Sequence, residues 1–419
     1  MAEKFKAVKG TKDILPNDST KWQTLEQTVH EFMNRWGYGE IRTPAFERTE
    51  LFARSVGEES DIVSKQMYTF LDQSKTSLTL KPELTAPVMR AYLEHNLDRG
   101  GALTKLYYID ALFRQERPQK GRLRQFHQFG AEAVGSPHPE QDIEIIALAY
   151  RLMEAVGVAN PRLQLNSIGS KECQQKFRNA LVEFLTPHSS DLSETSRQRL
   201  KTNPMRILDT KDEGEQAILK SAPRILDCLD DPDKDHYDTV KAGLDALGIS
   251  YEQNDFLVRG LDYYGRTTFE ITSDALGAQN ALCGGGRYDD LLEELGGKPT
   301  PAVGFAAGME RILLAISKES ATDSNTTLKV FVISAGKGAG TAALQTAMDL
   351  RSKGVTADFD TLQRSVKAQM REANRQGATH TVVIGEEELA NGTCQVKNLS
   401  TSEQKSLPFK ELFEHLTAV

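Results

Sequence analysis

The chain has 419 residues, 39% apolar and 26% charged, with a formal net charge of −8. That length leaves room for about three domains with substantial cores, and the composition is that of a soluble globular protein. The acidic balance excludes wholesale coating of nucleic acid, but not binding at a local basic site, because affinity follows the phosphates actually contacted.

No apolar run approaches the ~18 residues that suggest a membrane span, and the opening MAEKFKAVKG has no apolar core like that of a signal peptide. Cys173, Cys228, Cys283 and Cys394 lie far apart and form no CxxC pair. The sequence therefore predicts reduced thiols, no protein-bound metal, no membrane association and a cytoplasmic location.

Residues 19–36 place Trp22, Leu25, Val29, Phe32 and Trp36 three or four apart. This predicts a helix capped by Ser19 or Thr20 and stopped by Gly37. A short strand runs into Thr43-Pro44, and a second helix starts near Arg48. Strands are predicted at 77–84 and 105–113, and a helix at 140–156. The stretch 169–254 reads as charged and helical, without strand alternation. Strands resume at 256–273 and 278–286, and a helix closes the unit near 317. SKESATDSNTT (317–327) is a polar linker. Beyond it, strand and helix alternate in a small α/β domain, with Asn391-Gly392-Thr393 predicted as a hairpin turn.

The segment FRQERPQKGRLRQFHQFGAE (113–132) stands out against the acidic background. Arg114, Arg117, Lys120, Arg122 and Arg124 oppose the single Glu116, and the loop leads into a strand. With a period of two, Arg124, Phe126, Gln128, Gly130 and Glu132 share one face. A solvated outer sheet face is the plainer alternative; Arg114 and Glu116 on the strand across the hairpin argue against it. The set suits a nucleotide triphosphate, with cations for phosphates, a ring for a base and acceptors for an amine.

Other segments repeat this logic. LTLKPELTAP puts Lys81, Glu83 and Thr85 on one strand face; LVRGLDYYGR offers Arg259, Tyr263 and Tyr264. CGGGRYD offers glycines that let backbone approach a ligand, then Arg287 and Tyr288. GFAAGMERI places Arg311 at a helix start, where phosphate is favoured. CGGGRY lacks the GK[ST] of a phosphate loop, and SAGKGAGTA (334–342) lacks dinucleotide spacing.

These segments resemble those of the class II aminoacyl-tRNA synthetases, specifically the histidyl-tRNA synthetase family. GYGEIRTPAFERTELFARS, FRQERPQKGRLRQFHQ and GFAAGMERI resemble the three class motifs; LVRGLDYYGRTTFE and ALCGGGRYD resemble the two histidine-specific signatures. The likeness runs over essentially the whole chain. It implies an α+β catalytic domain built on an antiparallel sheet, in two parts (1–168 and 255–320) around a helical insertion (169–254), then a C-terminal α/β anticodon-binding domain (328–419).

The resemblance implies Glu83, Thr85 and Gln128 at the α-amino group of L-histidine, with Glu132, Tyr264 and Tyr288 at the imidazole and Tyr263 also in the histidine site. It implies Arg114 on the α-phosphate of ATP, Glu116 and Phe126 at the adenine, and Arg122 and Arg311 on the distal phosphates. Arg259 and Arg114 are implied as the catalytic pair, stabilising charge at the reacting carboxylate and α-phosphate with Mg²⁺. Arg117, Lys120 and Arg124 are the candidates for the acceptor end of tRNA(His). The first motif implies a homodimer. The family often has R-P-E-G-T where this chain has Lys81-Pro82-Glu83-Leu84-Thr85. Arg259 and Tyr264 fall on opposite faces of an ideal strand, so sharing one pocket requires a turn, which Gly260 permits.

The competing reading is a catalytically inactive relative, a regulatory subunit of ATP phosphoribosyltransferase. Such proteins typically lack the C-terminal domain and the ATP-contacting arginines; here residues 328–419, Arg114, Arg259 and Arg311 are present. A different class II synthetase is disfavoured by the two histidine-type signatures. A pure RNA-binding module leaves the polar pocket face unexplained.

Overall fold

The structure, a computed structural model, describes residues 4–57, 60–119, 121–259, 261–277, 280–316 and 329–417. The chain divides into two compact units, residues 1–320 and 321–419. In the first unit the strands are β1 (Gly39–Glu40), β2 (Phe46–Arg48), β3 (Tyr68–Leu71), β4 (Ser77–Leu80), β5 (Thr104–Phe113), β6 (Gln125–Val134), β7 (Arg162–Ser167), β8 (Tyr251–Gln253), β9 (Gly265–Thr272), β10 (Ala281–Arg287) and β11 (Ala302–Gly308). Its helices are α1 (Pro16–Arg35), α2 (Thr49–Val56), α3 (Thr85–Glu94), α4 (Pro139–Ala155), α5 (Lys171–Leu185), α6 (Glu194–Thr202), α7 (Glu213–Leu219), α8 (Asp231–Ala246), α9 (Leu291–Glu294) and α10 (Met309–Ala315).

Eight strands form one sheet in the order β1-β5-β6-β11-β10-β9-β7-β8. The six central strands are antiparallel throughout; β1 and β8 run parallel to their neighbours at the edges. A separate three-stranded sheet, β2-β4-β3, carries the exposed Phe46, Phe70 and Leu71. One core packs α1 and α4 on the large sheet through Leu25, Val29, Met33, Ile145, Leu148 and Leu152. Their spacings of three and four put these side chains on one stripe of each helix.

Several boundaries differ from expectation. Helix α1 starts at Pro16, whose fixed φ suits the first helical position; Ser19 lies inside the first turn and donates to Pro16 O. Strand β4 ends at Leu80, before Pro82, which has no N–H for a ladder. Residues 256–259 and 261–264 form no strand, and β9 begins at Gly265. Within 169–254, Tyr251–Gln253 pairs beside β7 as an edge strand. The rest of that stretch is helical, but its helices enter both cores of the first unit. Tyr237, Val240 and Leu244 of α8 join the α1–α4 core. Phe177, Leu181 and Leu185 of α5 join the cluster that holds Tyr263, Tyr264 and Tyr288.

The second unit has strands β12 (Lys329–Ala335), β13 (Thr356–Phe359), β14 (His380–Gly385), β15 (Thr393–Asn398) and β16 (Gln404–Pro408). Helices α11 (Ala339–Ser352), α12 (Val366–Arg375), α13 (Glu386–Asn391) and α14 (Leu412–Thr417) complete it. The sheet order is β13-β12-β14-β15-β16, parallel across the first three strands and antiparallel thereafter. Asn391-Gly392-Thr393 is not a hairpin turn: α13 ends there, with Gly392 at φ 66, the left-handed backbone that helix ends favour. The hairpin joins β15 to β16 after Asn398.

Candidate active site

Glu132, on β6, is the best-buried carboxylate in the site at 1% exposure. It accepts hydrogen bonds from Thr85 Oγ1 at 2.9 Å, Tyr108 OH at 3.0 Å and the hydroxyl of Tyr288. On β11, Gly304 pairs with Glu132, and a Cβ at that glycine would collide with the carboxylate. The side chain thus lies across its neighbour strand, in space only glycine leaves open. Burial pushes its pKa up to about 8, against the lowering effect of the three hydroxyls. Tyr263, Tyr264 and Tyr288 cluster above it, with ring centroids 4.7 Å, 5.4 Å and 6.2 Å apart. Gln174 of α5 fixes this wall by donating to Tyr264 O at 3.2 Å.

Glu83 is a second buried carboxylate. It accepts from the N–H groups of Thr85 at 2.8 Å and Ala86 at 3.0 Å, the free donors that open α3. Burial raises it to about 7, opposed by those N–H groups and by Arg114. Lys81, Glu83 and Thr85 therefore do not share a strand face. Lys81 turns away to Asp110 at 2.5 Å and Thr43 O at 3.1 Å. Leu84 has a negative φ of −115 and sits in the second apolar core, so nothing there requires glycine.

The arginines converge from three segments. Arg114 donates from Nε to Pro82 O at 2.8 Å, and its guanidinium stands 5.1 Å from the centroid of the Phe126 ring. Glu116 lies between Arg114 at 3.9 Å and Arg122 at 3.7 Å. Arg311, on α10, donates to Gly121 O at 3.2 Å and Ala281 O at 2.8 Å, linking the basic loop to β10. Arg259 donates to Glu270 at 2.9 Å. Arg259 and Tyr264 reach the same cleft from a stretch whose described residues, 256–259 and 261–264, are irregular; Gly260 itself lies outside the described residues.

The cleft they form has a volume of about 850 Å³. Glu83, Thr85, Gln128, Tyr263 and Tyr264 line one part, and Arg114, Glu116, Arg122, Phe126, Arg259 and Arg311 also line it. Glu132 and Tyr288 lie beneath this lining, joined to it through Thr85. Arg117 is exposed on the loop outside the cleft. Arg124 precedes β6 and turns to Glu116 O and Lys9 O, at 3.4 Å and 3.3 Å, so it does not share the face of Phe126 and Gln128. Lys120 lies outside the described residues.

Four contributors were not anticipated. Glu270 is the one acid in the strand β9, between the buried Phe269 and Ile271, a signal the sequence did carry. Glu310 accepts the backbone N–H of His127 at 3.0 Å and lies 2.9 Å from its Nδ1. Strand β11 stops at Gly308, opposite Gln128, so Glu310 takes the donor that the ladder leaves open. Arg199 and Arg206, from the helical stretch, also line the cleft, within 3.5 Å of Asp61 and 3.4 Å of Asp262. Cys173, Asp230 and Asp233 come together elsewhere, but Asp230 caps α8 and Asp233 holds Ser170 N and Arg266.

A six-stranded antiparallel core with two buried carboxylates and a ring of arginines around a polar cleft defines the catalytic unit of a class II aminoacyl-tRNA synthetase. A profile of the histidyl-tRNA synthetase family matches residues 10–312, and one for an anticodon-binding domain matches residues 329–418. The chain belongs to the histidyl-tRNA synthetase family. It is 47% identical over 408 residues to a histidine–tRNA ligase of Thermosynechococcus vestitus, covering 97% of this chain and 95% of that one. Identity to the ligase of Natranaerobius thermophilus is 47% over 416 residues, 99% of each. The crystal structure of apo S. aureus histidyl-tRNA synthetase superposes with a TM-score of 0.84 at 40% identity, covering 99% of this chain and 100% of that one. A Bacillus halodurans protein described as an ATP phosphoribosyltransferase regulatory subunit/histidyl-tRNA synthetase shares the fold, with a TM-score of 0.66 at 22% identity, covering 92% of this chain and 99% of that one.

Proposed function

We propose that the chain is a histidine–tRNA ligase, which activates L-histidine with ATP to histidyl-adenylate and pyrophosphate and then transfers histidine to the 3′ end of tRNA(His). The observation that carries this is Glu132, held by Thr85, Tyr108 and Tyr288 beneath a cleft lined with arginines. A pocket that satisfies both imidazole nitrogens leaves its own groups unpaired with an apolar competitor, which discriminates by ~10⁴ or more without editing.

In this reading the α-ammonium group meets Glu83, Thr85 and Gln128, while Glu132 and the three tyrosines surround the ring. The carboxylate of histidine attacks the α-phosphorus, so no side-chain nucleophile is needed. Arg114 and Arg259 act as fixed positive charge where negative charge develops, in a site already organised for it. Phe126 and Glu116 take the adenine; Arg122 and Arg311 take the distal phosphates. The ribose hydroxyl of the tRNA then attacks the activated carbonyl, with Arg117, Lys120 and Arg124 beside the acceptor end. The C-terminal unit reads the anticodon.

Mg²⁺ belongs to this reading as an ion that enters on the ATP phosphates. Among the carboxylates that line the cleft, Glu116, Glu270 and Glu310 are each engaged with a cationic or imidazole partner, and Glu83 with backbone N–H groups. That set fits an ion carried by phosphate better than one caged by protein. A homodimer is supported by the exposed Phe46, Phe70 and Leu71 on the small sheet. A cytoplasmic location is supported by the four free cysteines, and no described helix is long and apolar enough to cross a membrane.

The test is amino-acid-dependent pyrophosphate exchange into ATP without tRNA, across twenty amino acids. Exchange with histidine alone is expected. Histidine binding without exchange would instead support the regulatory reading, against which Arg114, Arg259 and Arg311 in the cleft stand.

A further inference from the structure

The segment before α1 carries Lys4, Lys6, Lys9 and Lys12 with no acid among residues 4–12, and all four lysines are exposed. This concentration of positive charge opposes the overall balance of the chain. Its one described ion pair, Lys12 with Asp18 at 3.8 Å, is exposed and contributes little. Like charges so close repel one another, and a polyanion relieves that repulsion.

The segment is seated at a defined place. The backbone N–H of Arg124 donates to Gly10 O at 2.7 Å, and the guanidinium of Arg124 to Lys9 O at 3.3 Å. Thr11 closes the turn, donating from its N–H and its hydroxyl to Val8 O at 2.9 Å and 2.8 Å. Gly10 has φ +93, and a Cβ there would lie 2.8 Å from Arg124 Cγ and 3.0 Å from Pro118 Cγ. The turn thus fits against the stem of the basic loop in a backbone shape that glycine permits. Its lysines extend the loop's charge, where Arg117 and Arg122 are also exposed. None of residues 4–12 lines the cleft, so the small substrates are not their ligand.

We propose that Lys4, Lys6, Lys9 and Lys12 form a phosphate-backbone contact for the tRNA, holding the strand that leads to the acceptor end while the adjoining loop meets its terminus. This rests on the reading of the protein as a tRNA-charging enzyme. The lysines act as positioning charges and take no part in adenylate formation.

The test is the fourfold variant Lys4→Gln, Lys6→Gln, Lys9→Gln and Lys12→Gln, compared with wild type and with the matching fourfold Lys→Arg variant. Histidine-dependent pyrophosphate exchange is expected to remain unchanged in all three. Affinity of the Gln variant for tRNA(His), measured by filter binding against KCl concentration, should fall roughly tenfold. Its log–log salt slope should become shallower by about two, as for the loss of two or three phosphate contacts. The Arg variant should bind like wild type. An unchanged slope and charging KM in the Gln variant would overturn the proposal. So would an unchanged slope with a lower sedimentation mass, which assigns the lysines to a protein contact. Failure of the wild type to charge any tRNA would instead overturn the functional reading beneath it.

Discussion

Arg259 and Gly284 occupy one space: a Cβ built on Gly284 would overlap the guanidinium of Arg259, which the missing side chain lets lie against β10 while it donates to Glu270. Gly284→Ala should therefore displace Arg259 without touching the histidine pocket. We expect adenylate formation to slow by roughly 10²–10³, the cost of losing one oriented charge-stabilising donor, with histidine affinity nearly unchanged. Arg259→Ala should match it. Single-turnover pyrophosphate release measures both, and a near-normal rate in either variant refutes the role given to Arg259.

Glu132→Gln keeps the volume of the side chain but replaces a carboxyl oxygen among three hydroxyls with an amide that cannot ionise when histidine binds. Leaving buried donors poorly matched costs about 1–3 kcal/mol, or roughly a five- to 150-fold rise in the KM for histidine. The KM for ATP should stay close to wild type. Equal weakening of both substrates removes Glu132 from the imidazole pocket.

Glu132 and Glu83 are raised from 4.5 to about 8 and about 7, chiefly by burial. The folded, empty protein then holds protons that the unfolded chain releases above pH 4.5. Stability from these groups is full below that value and declines as pH rises towards 7–8. Histidine binding runs the other way, because the ammonium group beside Glu83 and the imidazole N–H beside Glu132 both favour ionised carboxylates. Affinity should rise between pH 6 and pH 8, with net proton release from the protein seen by calorimetry in buffers of different ionisation enthalpy. A flat profile with no proton release contradicts this.

Arg287 and Asp142 form an ion pair with both side chains 0% exposed, joining β10 to α4. Arg287 also donates to Ser136 O at 2.8 Å and Asp289 at 3.0 Å. Removing Arg287 leaves the buried Asp142 with only His236, 3.4 Å away, as a possible cation, so Arg287→Ala should lose about 3–5 kcal/mol of stability in chemical denaturation. The sequence suggested a ligand-facing Arg287; its partners make it a strut.

The site was legible where chemistry and period agreed. An inward strand face carrying Gln128 and Glu132 is costly in a core, so the sequence exposed it as a pocket. What escaped it depended on how the chain turns between elements. The free N–H groups at the start of α3 drew Glu83 out of a strand pattern, and the early end of β11 gave Glu310 to His127. Arg199 and Arg206 were hidden for a different reason: nothing local tells a charged helix in solvent from one whose charge borders a cleft. Gly392 was misread because a helix end and a hairpin turn ask for the same left-handed backbone.

Strand β11 is the last of the large sheet in the chain, yet it lies at the centre, between β6 and β10. On the ribosome the two halves of the floor are thus complete before the strand that joins them exists. A nascent chain has no closed site for histidine until residue 308 has emerged, so substrate cannot assist its earlier folding. A message broken before residue 302 would yield a product with two unpaired strand edges face to face, a template for aggregation and a ready mark for proteolysis.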